Sequence, residues 1–143
     1  MLDNNGSPKK DDFPSSETLV DFAGRTRQFR VQQDHLPWGY GVSAIEDIEG
    51  EGGYEFRAFS AVNPFHALAL LRTKMAKLLS VRHLVEQEGK LSLTHDRMRG
   101  RVAFGGVVVD GIFVTFEQLA DLIQTYEGFQ FDLKIVDSSD ELE

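Results

Sequence analysis

The chain has 143 residues, of which 41% are hydrophobic and 27% charged, the profile of a packed globular protein and not of a disordered one. The absence of cysteine excludes disulfides, thiolate zinc sites and cysteine nucleophiles, and it fits a reducing, cytoplasmic setting. A net charge of −8 argues against wholesale tracking of a nucleic-acid backbone. No apolar run approaches the roughly 18 to 20 residues of a membrane span, and none follows Lys9-Lys10 as it would in a signal peptide.

Residues 1–16 are rich in Asn, Gly, Ser, Pro, Lys and Asp and read as a flexible N-terminal arm. A single α+β domain is expected over 17–137, followed by an acidic tail at 138–143. Thr18 to Phe22 and Gln28 to Val31 flank a glycine turn and predict a hairpin. Pro37 interrupts the pattern, since it cannot donate to a sheet ladder. A further strand begins near Tyr40, and after Glu49 to Gly53 another follows in which Tyr54, Phe56 and Ala58 share a face.

Asn63-Pro64 predicts a helix start, Asn as N-cap and Pro at the first helical position. Leu68, Leu71, Met75, Leu78 and Leu79 fall on one stripe, and the helix is expected to reach about Val85 and stop before Gly89. Leu91 to Leu93 and Gly100 to Phe104 read as extended. Val107 to Val114 reads as a hairpin about Asp110-Gly111, a dipeptide that tolerates the positive φ of a primed turn. Thr115 with Gln118 forms a capping box opening a second helix, whose predicted apolar stripe is Phe116, Leu119, Ala120 and Ile123. Phe129, Phe131, Leu133 and Ile135 alternate with Gln130, Asp132 and Lys134, predicting a last strand with one buried and one wet face. The fold class is therefore α+β, an antiparallel sheet of about 6–8 strands with two amphipathic helices in the approximate order ββββαβββαβ.

Charge is uneven. Phe65 to Phe104 holds eight Lys/Arg against three acids, a local +5 that leaves −13 for the remainder. In an extended chain Arg97, Arg99 and Arg101 project from one face, and guanidinium groups suit phosphate or carboxylate partners. With Arg72, Lys74 and Lys77 on the first helix they define a candidate basic surface. Trp38, with Tyr40 beside it, is a candidate anchor for a protein partner.

No catalytic residue, metal site or cofactor is expected. His35, His66, His83 and His95 form no H-x-x-x-H pair, and His95-Asp96 on a strand would point to opposite faces. The acidic loop Glu46, Asp47, Glu49, Glu51 lacks calcium-loop spacing, and neither glycine cluster continues as a phosphate-binding loop.

The strings Leu36-Pro37-Trp38-Gly39-Tyr40, Gly53-Tyr54-Glu55-Phe56, Arg99-Gly100-Arg101-Val102, Val108-Val109-Asp110-Gly111 and Tyr126-Glu127-Gly128-Phe129-Gln130-Phe131 resemble an uncharacterised bacterial domain of unknown function over about residues 17–137. Some relatives of that domain carry an N-terminal cysteine-rich zinc motif, which this cysteine-free chain lacks. The resemblance implies a bacterial source and no assigned activity. Tyr40 to Leu79 is also similar in outline to antitoxin domains of the degraded double-stranded-RNA-binding type, an outline shared by many folds. The sequence thus favours a non-catalytic domain that binds a protein partner or itself. A nucleic-acid-binding regulator is the alternative, and a hydrolytic enzyme the least supported reading.

Overall fold

A computed structural model describes residues 13–94, 97–138 and 140, and among these the chain forms nine strands and two helices. Strands β1 (Ser16–Val20), β2 (Thr26–Leu36), β3 (Gly39–Glu46) and β4 (Glu55–Ser60) make an antiparallel meander in chain order. Helix α1 (Pro64–Leu79) covers one face of it. Strands β5 (Leu84–Gln87) and β6 (Lys90–Leu93) form a separate hairpin. β7 (Gly100–Ala103), β8 (Gly106–Val109) and β9 (Ile112–Thr115) form a third, three-stranded sheet, followed by α2 (Phe116–Gln124).

Alternation explains the first sheet. Phe29 and Val31 on β2, Val42 and Ala44 on β3, and Phe56 and Ala58 on β4 point to one face, where they meet Ala67, Leu68, Leu71, Met75 and Leu79 of α1. The helix starts as expected: the Asn63 side chain accepts from the His66 N–H at 2.8 Å, and Pro64 opens the first turn. Phe13 and Leu19 also pack on this core, Phe13 edge-on to Phe65. The second half has a smaller core of Leu84, Val109, Val114 and Leu122.

Four expectations are corrected. Strands number nine, because the region after α1 supplies five short ones. α1 stops at Leu79 with Ser80 as C-cap; Gly89 instead pairs with Glu88, both at positive φ, as the turn of the β5–β6 hairpin. α2 rests on Leu122, with Leu119 partly buried, whereas Phe116, Ala120 and Ile123 face solvent. The last strand does not form: residues 129–137 are neither strand nor helix, and their alternating apolar side chains are exposed.

The first sheet is fastened by an inward-facing ion network. Arg27 donates to Asp21 at 2.8 Å and to both oxygens of Glu46 at 3.1 and 2.9 Å, and its guanidinium lies 5.0 Å from the centre of the Tyr54 ring. Glu46, expected in an exposed acidic loop, is buried here and also accepts from the Tyr54 N–H. Burial alone would raise the Asp21 pKa, but bonds from Arg27 and the backbone N–H groups of Arg25 and Ala23 outweigh it and hold the carboxyl below its ordinary 3.8. The stability this supplies is present above the unfolded-state value and lost as pH falls through the lower folded one. Burial, reinforced by the nearby Asp110, pushes the Tyr54 phenol well above its ordinary range, so it stays protonated; its hydroxyl is buried with no hydrogen-bond partner among the described residues.

Arg27→Met leaves two buried carboxylates facing each other and is expected to cost about 3–5 kcal/mol in urea unfolding. Tyr54→Phe removes only an unsatisfied hydroxyl and is expected to leave stability unchanged or higher, the opposite of the usual loss on truncating a buried side chain.

Candidate functional site

Two features gather chemistry: a basic hollow where α1 meets the second half of the chain, and an apolar segment after α2. The hollow, about 140 Å³, is lined by Lys77, Leu78, Val81, His83, Arg97 and Arg99. Three of the six cations singled out in the sequence therefore converge. Lys77 sits in the last turn of α1, where a cation complements the helix dipole.

The other three are committed elsewhere. Arg72 pairs with Glu17 of β1. Lys74 donates to the carbonyls of Arg57, Ser138 and Asp140 at 3.0, 3.2 and 3.0 Å. Arg101 donates to the Gly53 carbonyl at 3.1 Å and lies 3.5 Å from Glu55. The expected single row of Arg97, Arg99 and Arg101 is thus divided, because the β7 strand begins only at Gly100 and Arg97 and Arg99 precede it.

His83 was not singled out by spacing, since its partner is 27 residues away. Its ring Nδ1 lies 2.8 Å from an Asp110 oxygen, and the other oxygen accepts the N–H groups of His83 and Leu84, both at 2.8 Å. All of these groups are buried. The only sequence signal was the Asp-Gly turn: Asp tolerates the positive φ of 55° found at Asp110, and there its carboxylate reaches the chain entering β5. With both oxygens occupied by this chain, Asp110 acts as a latch for β5. The His95-Asp96 pair considered in the sequence lies outside the described residues, and no group of three or more His, Asp or Glu suited to a metal ion occurs among those described.

Trp38 stands at the tip of the two-residue turn joining β2 to β3 and is 67% exposed. Tyr40 is half-buried and stacks on His35 across the strands, ring centres 4.9 Å apart. The two residues thus separate, one projecting and one packed into the sheet.

The apolar segment is the larger exposed feature. Phe129, Phe131, Leu133 and Ile135 are 75, 90, 73 and 71% exposed. Among the described residues no backbone hydrogen bond joins 130–136 to another part of the chain. Its ends are nonetheless held. A turn carries the Phe129 N–H to the Tyr126 carbonyl, with the two rings edge to face, and Lys74 grips the carbonyls of Ser138 and Asp140 beyond the other end. The Phe116, Ala120 and Ile123 stripe of α2 lies just upstream, also facing solvent.

No helix among the described residues is long and apolar enough to cross a membrane. If Asp110 latches β5, Asp110→Asn, which keeps the turn conformation but aims an NH2 at donors, is expected to cost about 2–3 kcal/mol. Amide exchange at His83 and Leu84 should accelerate ahead of exchange in β2 and β3.

Compared with known proteins, residues 11–80 match the model of one domain of unknown function (DUF7686) and residues 82–140 that of a second (DUF7713). No curated protein and no solved structure matches the chain. Its likeness is to two adjacent domains of unknown function that meet between α1 and β5.

Proposed function

We propose that the chain is a non-catalytic protein-interaction domain that docks a protein partner or another copy of itself. One observation carries this reading: four alternating apolar side chains, 71 to 90% exposed, on a segment fastened at both ends whose backbone groups between Gln130 and Val136 have no backbone partner among the described residues. Exposed apolar side chains are ordinary when scattered. Here they occupy every second position of a segment whose backbone has no backbone partner among the described residues, the arrangement with which a segment recruits a neighbouring strand. Trp38 offers a smaller anchor at the turn of the β2–β3 hairpin.

A second reading, a nucleic-acid-binding regulator, is favoured by the convergence of Lys77, Arg97 and Arg99 on one hollow. The commitment of Arg72 and Arg101 to carboxylates and of Lys74 to carbonyls reduces the surface available to phosphates. Such binding would weaken steeply with salt and with Lys77→Ala, Arg97→Ala and Arg99→Ala together.

Affinity capture from a host lysate compares wild type with Phe131→Asp/Leu133→Asp, both confirmed folded by circular dichroism. Proteins retained by the wild type should be lost from the variant. Identical capture by both would remove the segment from the proposed function.

A further inference from the structure

We infer that the occupant of the apolar segment is the same segment of a second copy of this chain, paired antiparallel about a two-fold axis at Leu133. The inference rests on reading the chain as an interaction domain and goes further by naming the partner and the register.

The register follows from side-chain chemistry. Directly opposed residues of an antiparallel pair share a face, so apolar meets apolar only if opposed positions have the same parity; a one-residue slip would set Phe131 and Leu133 against Gln130, Asp132 and Lys134. Among the allowed registers, centring on Asp132 opposes two Asp132 carboxylates, and centring on Lys134 opposes two Lys134 amines. A parallel in-register pair stacks both like charges. Centring on Leu133 sets Asp132 of each copy against Lys134 of the other, twice by symmetry. It also places Phe131 opposite Ile135, an aromatic and β-branched pair, and Leu133 opposite itself. Among these alignments it alone opposes no like charges and pairs Asp132 with Lys134, its apolar face being Phe131, Leu133 and Ile135 while Phe129 falls opposite Asp137.

The segment's tethers favour this use. The Tyr126 to Phe129 turn and the Lys74 grip on Ser138 and Asp140 restrict the backbone before any partner arrives, which reduces the ordering cost of association. Two phenylalanines, a leucine and an isoleucine from each copy bring on the order of 1,000 Å² of apolar surface to the contact, the scale at which specific interfaces begin. A two-fold pairing is also self-limiting, since each copy's segment faces the other's and the contact closes.

The native chain has no cysteine, so an introduced thiol reports on this contact alone. Under mild oxidation by diamide, Leu133→Cys should form a covalent dimer, because opposed Cα atoms lie about 4.5–5.5 Å apart, within disulfide range. Phe131→Cys alone should not, since its copies would lie about 13 Å apart along the strands, whereas a mixture of Phe131→Cys and Ile135→Cys should cross-link. Without oxidant, light scattering across a dilution series should show a dimer of the wild type. Asp132→Lys is expected to raise its dissociation constant on the order of ten-fold, and Asp132→Lys/Lys134→Asp to restore it.

A strict monomer overturns the proposal, and so does a dimer in which Leu133→Cys stays a thiol or the charge swap fails to rescue. A monomer whose lysate capture still depends on Phe131 and Leu133 would retire self-pairing and leave the interaction reading standing. Loss of both would remove both.

Discussion

The Asp110-Gly111 turn ties two distant stretches of chain to the β8–β9 hairpin. The Asp110 carboxylate takes the N–H groups of His83 and Leu84 and the His83 ring, fixing where the chain enters β5. The Gly111 carbonyl takes the Gly53 N–H at 2.7 Å, tying the β3–β4 loop to the β8–β9 hairpin. The fit leaves no room for side chains. A Cβ on Gly52 would stand 2.8 Å from the Gly111 oxygen, and one on Gly111, at φ 77°, would stand 2.9 Å from the Tyr54 ring. Arg27 lies 5.0 Å from the centre of that ring, and its Nη1 would stand 3.2 Å from the same Cβ, so the ion network fastening the first sheet borders directly on the turn fastening the second. The boundary between the two matched families at residue 81 is therefore crossed by specific, close-fitting bonds, to which Arg101 adds its bond to the Gly53 carbonyl. The second half's small core gains support from this junction that four buried apolar residues would not supply alone.

Where local chemistry decides structure, the sequence was readable. Asn63-Pro64, the Thr115 and Gln118 capping box, the Asp-Gly turn and the alternation of β2 to β4 each act within a few residues, and each forms as expected. Where the deciding partner is distant, reading failed. Nothing in Val81 to Val85 forbids another helical turn; that stretch leaves the helix because Asp110, more than 25 residues on, claims the His83 and Leu84 N–H groups. Glu46 looked like loop acid until Arg27 drew it inward. The basic residues were legible as a cluster, but their division was not. Of Arg97, Arg99 and Arg101 only the last lies within a strand, where register sets it beside Glu55, and Arg72 meets Glu17 from α1 across 55 residues of sequence.

The last strand failed for a more instructive reason. Alternation reports that one face of a segment is apolar, and it says nothing about what covers that face. From Phe129 to Ile135 the pattern is as regular as on β4, yet β4 has β3 beside it and α1 above it, and this segment has neither. The same holds for α2, which carries two apolar stripes when one would serve a surface helix. Leu119 and Leu122 face the core, leaving Phe116, Ala120 and Ile123 outside. A sequence that spends apolar residues on both sides of a short helix and on the segment after it is patterned for more surface than the described fold covers.

That excess separates the two anchors the sequence offered. Trp38 projects from a tight turn in which Pro37 has no N–H to donate, so it can contribute contact area but little direction. The 129–135 segment contributes area together with a ladder of backbone donors and acceptors and an ordered pair of opposite charges. Area alone attracts many surfaces weakly, while ladder bonds and charges select orientation and register. An exposed edge with these properties is a hazard in a monomer, since it invites open-ended pairing. Pairing it with an identical edge satisfies the half of each segment's backbone groups that faces the partner, and the Asp132 and Lys134 order penalises the alignments centred on either charge. The acid and base within the apolar run are therefore best understood as the elements that decide which pairing forms.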